Sequence, residues 1–474
     1  MRFDLIVIGG GLAGLVAANR AAELGRTVAV LERGSANHYL CNSRVATGMF
    51  NFAHSDPKDD PEHLIEAIAV DTEGYADILL ARAMSGVAGR GIDWLLAEGA
   101  QFIHTDRLGR QSWVLAPGRS DKLGLDWQGR GPDEFVRRLG DNLRRRGGQL
   151  ILSARATTLN MHNGVCCGVT ADVNGTATAF ESEAVVLADG GFQNNLDMVG
   201  RYISPKPDAL VQRSAGTSFG DAIRMAEAIG AKLVDMDCFY GHLLSQIALR
   251  DSDYWPYPTL DTMTGASILI DRDGCRFADE GLSGITLANI IARLDDPLST
   301  RIVFDATIWD TAGRAETRPP NPTLNDVEGA LIKAETLNDL AVRSGIPAQQ
   351  LTQTVACYNA AIRSGTGAQL EPTRTPGRRF GQRRDSKQRI EPMPIVRPPF
   401  YCAPIAVGIS YTMGGIAIDE HARALSQNGN PIIGLYAVGS TAGGLEGGPI
   451  AGYIGGLSKA YCLGFIAGEH IAVA

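Results

Sequence analysis

Three glycines near the amino terminus could hold a phosphate group. Gly9, Gly11 and Gly14 have the G-x-G-x-x-G spacing, which presents backbone N–H donors at a helix start with no side chains in the way. They would give a tight turn, close approach of the ligand and close packing of the helix. Glu32 follows at the distance where a carboxylate binds the adenosine ribose. The pattern predicts a dinucleotide site and leaves FAD and NAD both open.

The elements around these glycines have the order that such a site requires. Asp4–Ile8 is a largely apolar run, typical of a parallel strand buried on both faces. A helical pattern runs to about Leu24 and stops at Gly25, and Thr27–Leu31 reads as a second strand. Strand, turn, helix, strand and acid in this order favour a nucleotide site over a glycine-rich turn without a ligand.

The length of 474 residues indicates two domains. We predict an α/β fold with an α+β insert. A Rossmann-like nucleotide-binding domain would be formed by residues 1–236 and 408–474, and an inserted capping domain by residues 237–407, where aromatic residues and prolines become frequent. The other predicted elements are helix over 62–100 and 219–230, short strands over 148–187, a strand and glycine turn at Gly434–Gly439, and a final glycine-rich helix.

The composition is that of an ordinary globular protein, with 45% hydrophobic and 20% charged residues. The net charge of −8 argues against nucleic acid as a partner, and no apolar run is long enough to span a membrane. The eight cysteines include no Cys-x-x-Cys pair, and we predict no secretory signal at the start. We therefore expect reduced thiols, a cytoplasmic location and no metal site.

Eight further segments of characteristic composition occur in a specific order. They are Gly91–Gly99, Val185–Phe192, Gly216–Asp221, Gly230–Met236, Gly274–Glu280, Pro399–Tyr401, Tyr411–Gly415 and Gly434–Gly439. Together they resemble the flavoprotein family of fumarate reductase and succinate dehydrogenase, which includes 3-ketosteroid dehydrogenases and tricarballylate dehydrogenase. The resemblance covers nearly the full chain and implies FAD as the cofactor. In succinate dehydrogenases a histidine near the Asn42–Gly48 segment is bonded to the flavin; this segment has none, so we expect non-covalent FAD.

The resemblance also implies where the cofactor contacts the chain. Ala188, Asp189 and Gly190 would lie near the adenosine half, whereas Asp221 and Ser440 would lie on the flavin side. The helix start at Gly455–Ser458 would direct N–H groups at the flavin pyrimidine, which favours the anionic reduced form. The predicted cofactor-binding residues are Gly9, Gly11, Gly14, Glu32, Arg33, Asn42, Ser43, Gly48, Ala188, Asp189, Gly190, Asn194, Asp221, Gly439, Ser440, Gly456 and Leu457.

The family's substrate clamp is largely missing. Fumarate reductases hold a dicarboxylate with two histidines and two arginines, of which His242 matches the first histidine. The second histidine falls at Ser410, the proton-donating arginine at or near Gly284, and the last arginine in Gly448–Tyr453, where there is no basic residue. A dicarboxylate facing no cation in a buried pocket costs several kcal/mol. The sequence therefore argues against fumarate and succinate.

What remains for acid–base chemistry is one histidine and several tyrosines. Abstracting a proton next to a carbonyl needs a base near the flavin and a donor to the developing enolate. The predicted catalytic residues are His242, Tyr240, Tyr401, Tyr411 and Tyr453. Glu446 could bind a substrate amine or hydroxyl, or could be only a charge at a helix start.

We predict an FAD-dependent oxidoreductase that acts on a carbon–carbon single or double bond next to a carbonyl. The dehydrogenase direction is preferred because the arginine relay of the reductases is absent. The partners would be a small-molecule substrate and a separate electron acceptor or donor. A flavin monooxygenase or amine oxidase and a non-catalytic flavin-binding protein remain alternatives. The basic run Arg378–Arg389 could face an acidic partner, although most such runs are solvated loops.

Overall fold

The structure is a computed structural model that describes residues 1–107, 110–118, 123–314, 321–378 and 383–473. Its strands are β1 (Arg2–Ile8), β2 (Val28–Leu31), β3 (Met49–Phe50), β4 (Phe102–Arg107), β5 (Arg110–Leu115), β6 (Gln149–Ile151), β7 (Ala154–His162), β8 (Val165–Val173), β9 (Thr176–Leu187), β10 (Leu210–Gln212), β11 (Leu233–Val234), β12 (Phe239–Ser245), β13 (Ile268–Ile270), β14 (Arg301–Asp305), β15 (Ile332–Ala334), β16 (Gly377–Arg378), β17 (Arg389–Ile390), β18 (Phe400–Thr412), β19 (Gly415–Ile416), β20 (Arg423–Leu425) and β21 (Pro431–Ala437).

Helices cover and connect these strands. They are α1 (Leu12–Glu23), α2 (Asn42–Val45), α3 (Pro61–Asp71), α4 (Ile78–Ala97), α5 (Gly131–Arg145), α6 (Leu196–Tyr202), α7 (Asp221–Ala228), α8 (Asp261–Ala266), α9 (Gly284–Ala292), α10 (Ala306–Asp310), α11 (Leu337–Ser344), α12 (Ala348–Ser364) and α13 (Gly456–Val473). None of them, within the ranges given above, combines the length and apolar character needed to cross a bilayer.

A parallel sheet carries the predicted nucleotide-binding elements. Its strands follow the order β21-β9-β1-β2-β6, with β20 antiparallel to β21, β8 antiparallel to β9 and β7 antiparallel to β8. Leu5 of β1 lies opposite Val28 on one side and Ala184 on the other, and Leu5–Ile8 are buried, as an apolar central strand requires. Strand β21 joins β9 from the far end of the chain. The two chain ends therefore build one sheet.

A second sheet is organised around the long strand β18. Strand β10 runs parallel to β18, whereas β12, β14 and β15 are antiparallel to it, and β13 pairs with β14. The predicted domain boundaries at residues 236/237 and 407/408 cut through this sheet, because β10 precedes the first boundary and β18 crosses the second. Strand β18 therefore lies on both sides of the second predicted boundary, because a change in composition does not mark where a strand finds its partners.

The helix predicted over residues 62–100 is two helices. Helix α3 ends at Asp71, and Glu73 and Gly74 follow with φ of 51° and 75°. Asp77 then starts α4 by accepting hydrogen bonds from the N–H groups of Leu79 and Leu80. A left-handed turn followed by an aspartate cap therefore separates two helices that the apolar periodicity predicts as one.

Candidate functional site

A cavity of about 710 Å³ lies at the carboxyl edge of the parallel sheet. The turns after β1, β2, β9 and β21 all open into it, which is where ligands bind in open α/β sheets. At one end it is lined by Glu32 and Arg33, and at the other by Tyr240, His242 and Tyr453. Its volume lies within the range typical of ligand sites.

Glu32 is fixed at the first end of the cavity by backbone donors. Its Oε2 accepts the N–H of Gly10 at 2.9 Å and its Oε1 accepts the N–H of Gly34 at 2.7 Å. Burial raises the pKa of this carboxyl, against the lowering effect of the two hydrogen bonds. The carboxylate is therefore held rigidly, and its remaining lone pairs can accept from ligand hydroxyls.

The glycine turn leaves the start of α1 open. Gly9 has φ of 104°, and a Cβ there would lie 2.5 Å from the carbonyl oxygen of Ala188, so a side chain would be strained and would clash. Gly14 faces away from the cavity and packs α1 against Gly9 and Val7. This is the predicted packing role rather than a ligand contact.

Most of the predicted cofactor residues line the cavity, and three do not. Gly48 packs on Pro132 beside the lining residues Thr47 and Met49, while Asn194 is hydrogen-bonded to Gln212 within the chain. Together with Gly14 they lie behind the wall. Those that line it are Gly9, Gly11, Glu32, Arg33, Asn42, Ser43, Ala188, Asp189, Gly190, Asp221, Gly439, Ser440, Gly456 and Leu457.

Asp221 lies at the Glu32 end of the cavity, not on the predicted flavin side. Its carboxylate pairs with Arg155 at 2.9 Å and lies 3.8 Å from Arg33, the residue after Glu32. The strand pairing explains this, because Arg155 is on β7, whose hairpin with β8 is joined to β9. These charges hold the pKa of Asp221 below its usual value despite the opposing effect of burial.

A chain of three polar side chains reaches the opposite end of the cavity. The Nδ1 of His242 lies 2.6 Å from Oδ2 of Asp261, and its Nε2 lies 3.1 Å from the hydroxyl of Tyr240. Asp261 also accepts the N–H of Leu243 through Oδ1. His242 is 3% exposed, so this is an ordered and largely dry arrangement. Tyr240 and His242 were predicted; Asp261 was not, because no local pattern links it to a histidine 19 positions earlier.

Asp261 lies beside Gly284, the position at or near which the resemblance places the family's proton-donating arginine. A Cβ on Gly284, at the start of α9, would overlap the carboxylate of Asp261. The missing side chain therefore makes room for the Asp261–His242 pair. The sequence shows the loss of the arginine but not the group that fills its place.

The three other tyrosines differ in their surroundings. Tyr411 and Tyr453 stack on Tyr240, with ring centroids 5.3 and 4.6 Å away. Tyr401 instead stacks on Phe304 and does not line the cavity, so the structure does not bring it together with the other predicted catalytic residues. It belongs to the core because β18 pairs with β14 at that position.

Tyr411 is tied to a buried charge pair. Its hydroxyl donates to Glu446 at 2.9 Å, and the other oxygen of Glu446 lies 3.5 Å from Lys459. Glu446 and Lys459 are fully buried and do not line the cavity, so the structure places Glu446 in a buried charge pair and not at the cavity surface. Burial and the charge of Glu446 raise the pKa of Tyr411 well above its usual value, while burial lowers that of Lys459.

The structure also brings an unpredicted arginine to this end. Arg213 follows β10 directly and lines the cavity beside Tyr240. Its Nε donates to the carbonyl of Pro256 at 2.8 Å and its Nη1 to the hydroxyl of Ser410 at 3.2 Å. The sequence predicts an arginine-poor cavity at the substrate end, whereas the structure brings one arginine there. A basic residue at the end of a short strand was the available signal, but the sequence did not show that β10 joins β18 here.

Comparison with known proteins decides what kind of cavity this is. Residues 4–449 match the family described as FAD binding domain. The chain belongs to this family. The match confirms, at the level of the family, the resemblance, the α/β fold class and the FAD cofactor that the sequence predicts. It also confirms the assignment as an oxidoreductase that acts on carbon–carbon single or double bonds.

Two relatives and one solved structure illustrate the range of FAD binding domain proteins that it matches. An NADH:acrylate oxidoreductase of Vibrio harveyi is 26% identical over 98% of this chain and 50% of its own length. A fumarate reductase (cytochrome) of Shewanella frigidimarina is 25% identical over 99% and 77%. The structure of 3-ketosteroid delta1-dehydrogenase from Sterolibacterium denitrificans, in complex with 1,4-androstadiene-3,17-dione, has a TM-score of 0.79 at 20% identity, over 100% and 99%. This chain thus spans half the length of the acrylate enzyme.

The cavity of this FAD-binding chain fits the cofactor that the family name implies. The side-chain-free start of α1, the fixed carboxylate of Glu32 and the start of α13 at Gly456 and Leu457 face one continuous space. Helix starts stabilise negative charge, which suits phosphates at the first helix and a reduced flavin at the second. The substrate would then occupy the remaining end, at Tyr240 and Arg213.

Proposed function

We propose that this protein removes one hydrogen from each of two adjacent carbons, one of which is next to a carbonyl, with Tyr240 as the base. The observation that carries the proposal is the hydrogen-bonded chain from Tyr240 through His242 to Asp261. The FAD, when bound, supplies the hydride acceptor for such a reaction. The reverse reaction, reduction of a double bond, uses the same groups in the opposite protonation states.

The proton chemistry follows from the order of donors and acceptors. An ionised Asp261 can only accept, so Nδ1 of His242 carries the proton and Nε2 presents a lone pair to the Tyr240 hydroxyl. As Tyr240 takes a proton from the substrate carbon, its own proton can pass to Nε2. Asp261 then stabilises the imidazolium that forms, as a carboxylate does for a catalytic histidine in general.

The neighbouring tyrosines support this role for Tyr240 over the other predicted candidates. The hydroxyl proton of Tyr411 is directed at Glu446, so Tyr411 presents only lone pairs elsewhere. Stacking by Tyr411 and Tyr453 fixes the Tyr240 ring from its sides. Orientation of this kind is a large part of enzymatic rate enhancement.

The cofactor and cell location complete the proposal. We expect FAD to be held non-covalently, by Glu32, Ser43, Ser440 and the two helix starts, so acid precipitation should release the yellow colour into the supernatant. The enzyme would be cytoplasmic, consistent with eight free cysteines. A small-molecule substrate and a separate electron acceptor or donor remain part of the proposal.

A Tyr240→Phe variant tests the proposed base. It keeps the ring stack but loses the hydroxyl, and general acid–base catalysis is typically worth roughly 100- to 10,000-fold. In anaerobic stopped-flow mixing, flavin reduction by a substrate found in a screen of saturated ketones and acids should slow by that factor. The FAD content should stay unchanged.

Tyr401→Phe is the matched control, because it removes a tyrosine hydroxyl outside the cavity. Its flavin reduction should match the wild type. Equal rates in the wild type and Tyr240→Phe would contradict the assignment of Tyr240.

A further inference from the structure

Arg213 stands out among the cations at the cavity because no carboxylate among the described residues lies within ion-pair distance of it. The two other arginines among the described lining residues, Arg33 and Arg155, both lie within ion-pair distance of Asp221. Arg213 makes no ion pair with any residue in the described ranges. A partly buried guanidinium without an ion-pair partner is costly, so a ligand anion would be bound there favourably.

The hydrogen bonds of Arg213 fix the position of its guanidinium group and leave one of its nitrogens available to a ligand. Nε is used by Pro256 and Nη1 by Ser410, and Nη2 has no acceptor among the described residues. Burial lowers the pKa of Arg213, while Tyr240 and Asp261 act against this; an arginine remains protonated under such conditions. The guanidinium is thus a rigid cationic donor next to the proposed base.

The surroundings limit the shape of the anion that could be bound. Trp255 and the rings of Tyr240, Tyr411 and Tyr453 line this end, which suits a flat or apolar body. His242 cannot provide a second counter-charge in its neutral form, because Asp261 already holds its Nδ1 proton. One cation facing aromatic walls fits one carboxylate on an otherwise apolar molecule.

We infer that the substrate is a monocarboxylate with a planar or cyclic apolar body, and that Arg213, positioned by Ser410 and Pro256, binds its carboxylate. This inference rests on the proposed function for the identity of the site. It adds the class of substrate and a binding residue at a position other than those where the family's clamp was expected.

Binding of an unreactive probe tests the inference without turnover. Benzoate and its neutral amide, benzamide, are titrated into the FAD-loaded enzyme and followed by calorimetry and by the change in flavin absorbance. The wild type should bind benzoate at least about 10-fold more tightly than benzamide, because only the carboxylate makes a charge-assisted hydrogen bond. Arg213→Gln should weaken benzoate roughly 10- to 100-fold and leave benzamide unchanged.

Two further variants keep the test interpretable. Arg213→Lys retains the charge but not the planar guanidinium with its several N–H donors. Its affinity for benzoate should therefore lie between that of Arg213→Gln and that of the wild type. Arg250→Gln removes an arginine that does not line the cavity, and its affinities should equal those of the wild type. FAD content and melting temperature show whether each variant is folded.

Failure of this inference can be told apart from failure of the proposed function. Equal or absent binding of both probes by the wild type, or benzoate binding that is unchanged in Arg213→Gln, overturns the carboxylate subsite even if Tyr240→Phe slows flavin reduction. Benzoate binding that depends on Arg213 supports the subsite even if no screened compound reduces the flavin.

Discussion

Asp189 is a single residue whose ionisation should be visible in the stability of the whole protein. It lies two residues after the end of β9, where its Oδ2 accepts the N–H of Ala222 at 2.9 Å. Burial, with a smaller contribution from the charge of Asp221, raises the pKa of Asp189 to about 7. The folded protein therefore keeps a proton that the unfolded chain releases near pH 4.

The sign of the pH dependence follows from this difference. Because the folded-state pKa lies above the unfolded value, the contribution of Asp189 is fully present below about pH 4 and is lost as pH rises towards 7. The upper bound of this contribution to the free energy of unfolding is about 4 kcal/mol. Asn can still accept from Ala222 but does not titrate, so in Asp189→Asn this part of the fall in melting temperature between pH 5 and pH 8 should disappear.

Thermal unfolding of the purified protein at four pH values from 5 to 8 measures this effect. Asp253→Asn is the control, since Asp253 is exposed and its backbone N–H, not its side chain, makes the hydrogen bond of this short turn, to Oδ1 of Asp251. Identical pH profiles for the wild type and Asp189→Asn would show that Asp189 is not the titrating group.

Residue types alone revealed the cofactor end of the site better than the substrate end. Gly9, Gly11 and Glu32 are predictable because phosphate and ribose recognition depends on a short local pattern around one strand. Arg213 and Asp261 were missed because each becomes relevant only when β10, β12 and α8 come together. Long-range contacts of this kind leave no periodic signal in the sequence.

At the scale of elements, the start of α9 controls the position of Asp261. Gly284 has no unusual backbone angle, so an alanine there is conformationally allowed and its effect is steric. Its Cβ would meet the Asp261 carboxylate. Gly284→Ala should therefore cost about 1–3 kcal/mol in unfolding free energy, and should slow flavin reduction by displacing Asp261 from His242.

Gly86 in α4 offers a matched control. A Cβ there meets nothing within 4 Å, so Gly86→Ala should be neutral or stabilising by up to about 1 kcal/mol, with no change in flavin reduction. Denaturant unfolding and anaerobic stopped-flow mixing on both variants provide the comparison. A Gly284→Ala enzyme with wild-type rate and stability would mean that Asp261 tolerates displacement.

The elements that sequence pattern predicts well are those with strong local causes. Strand β1, helix α1 and helix α7 occur where apolar periodicity and glycine stops place them. The predicted helix over 62–100 was only partly right because a positive φ at Glu73, a non-glycine residue, is not indicated by periodicity. Strand partners were harder still, as the pairing of β10 with β18 shows.

At the scale of the whole molecule, the basic run predicted at Arg378–Arg389 connects the two predicted domains. Arg378 pairs with Asp71 at the end of α3, and Arg384 pairs with Glu73 while its backbone N–H donates to Asp71 at 3.0 Å. Residues 379–382 of the run lie outside the described residues. Several of these charges are therefore neutralised within the chain, which weakens the case for an acidic partner at this surface.

A double-mutant cycle on Arg378 and Asp71 tests whether this contact joins the two parts of the fold. The side chains are 15% and 2% exposed, and removing one member of a buried pair leaves the other charge uncompensated. Arg378→Gln and Asp71→Asn should each lower the unfolding free energy by up to about 3 kcal/mol, and the double variant should lose at least about 1 kcal/mol less than their sum.

The exposed pair Arg272–Asp296 is the control cycle and should couple by less than about 1 kcal/mol. Additive losses at Arg378 and Asp71 in denaturant unfolding would mean that the inserted segment is held against α3 by packing alone.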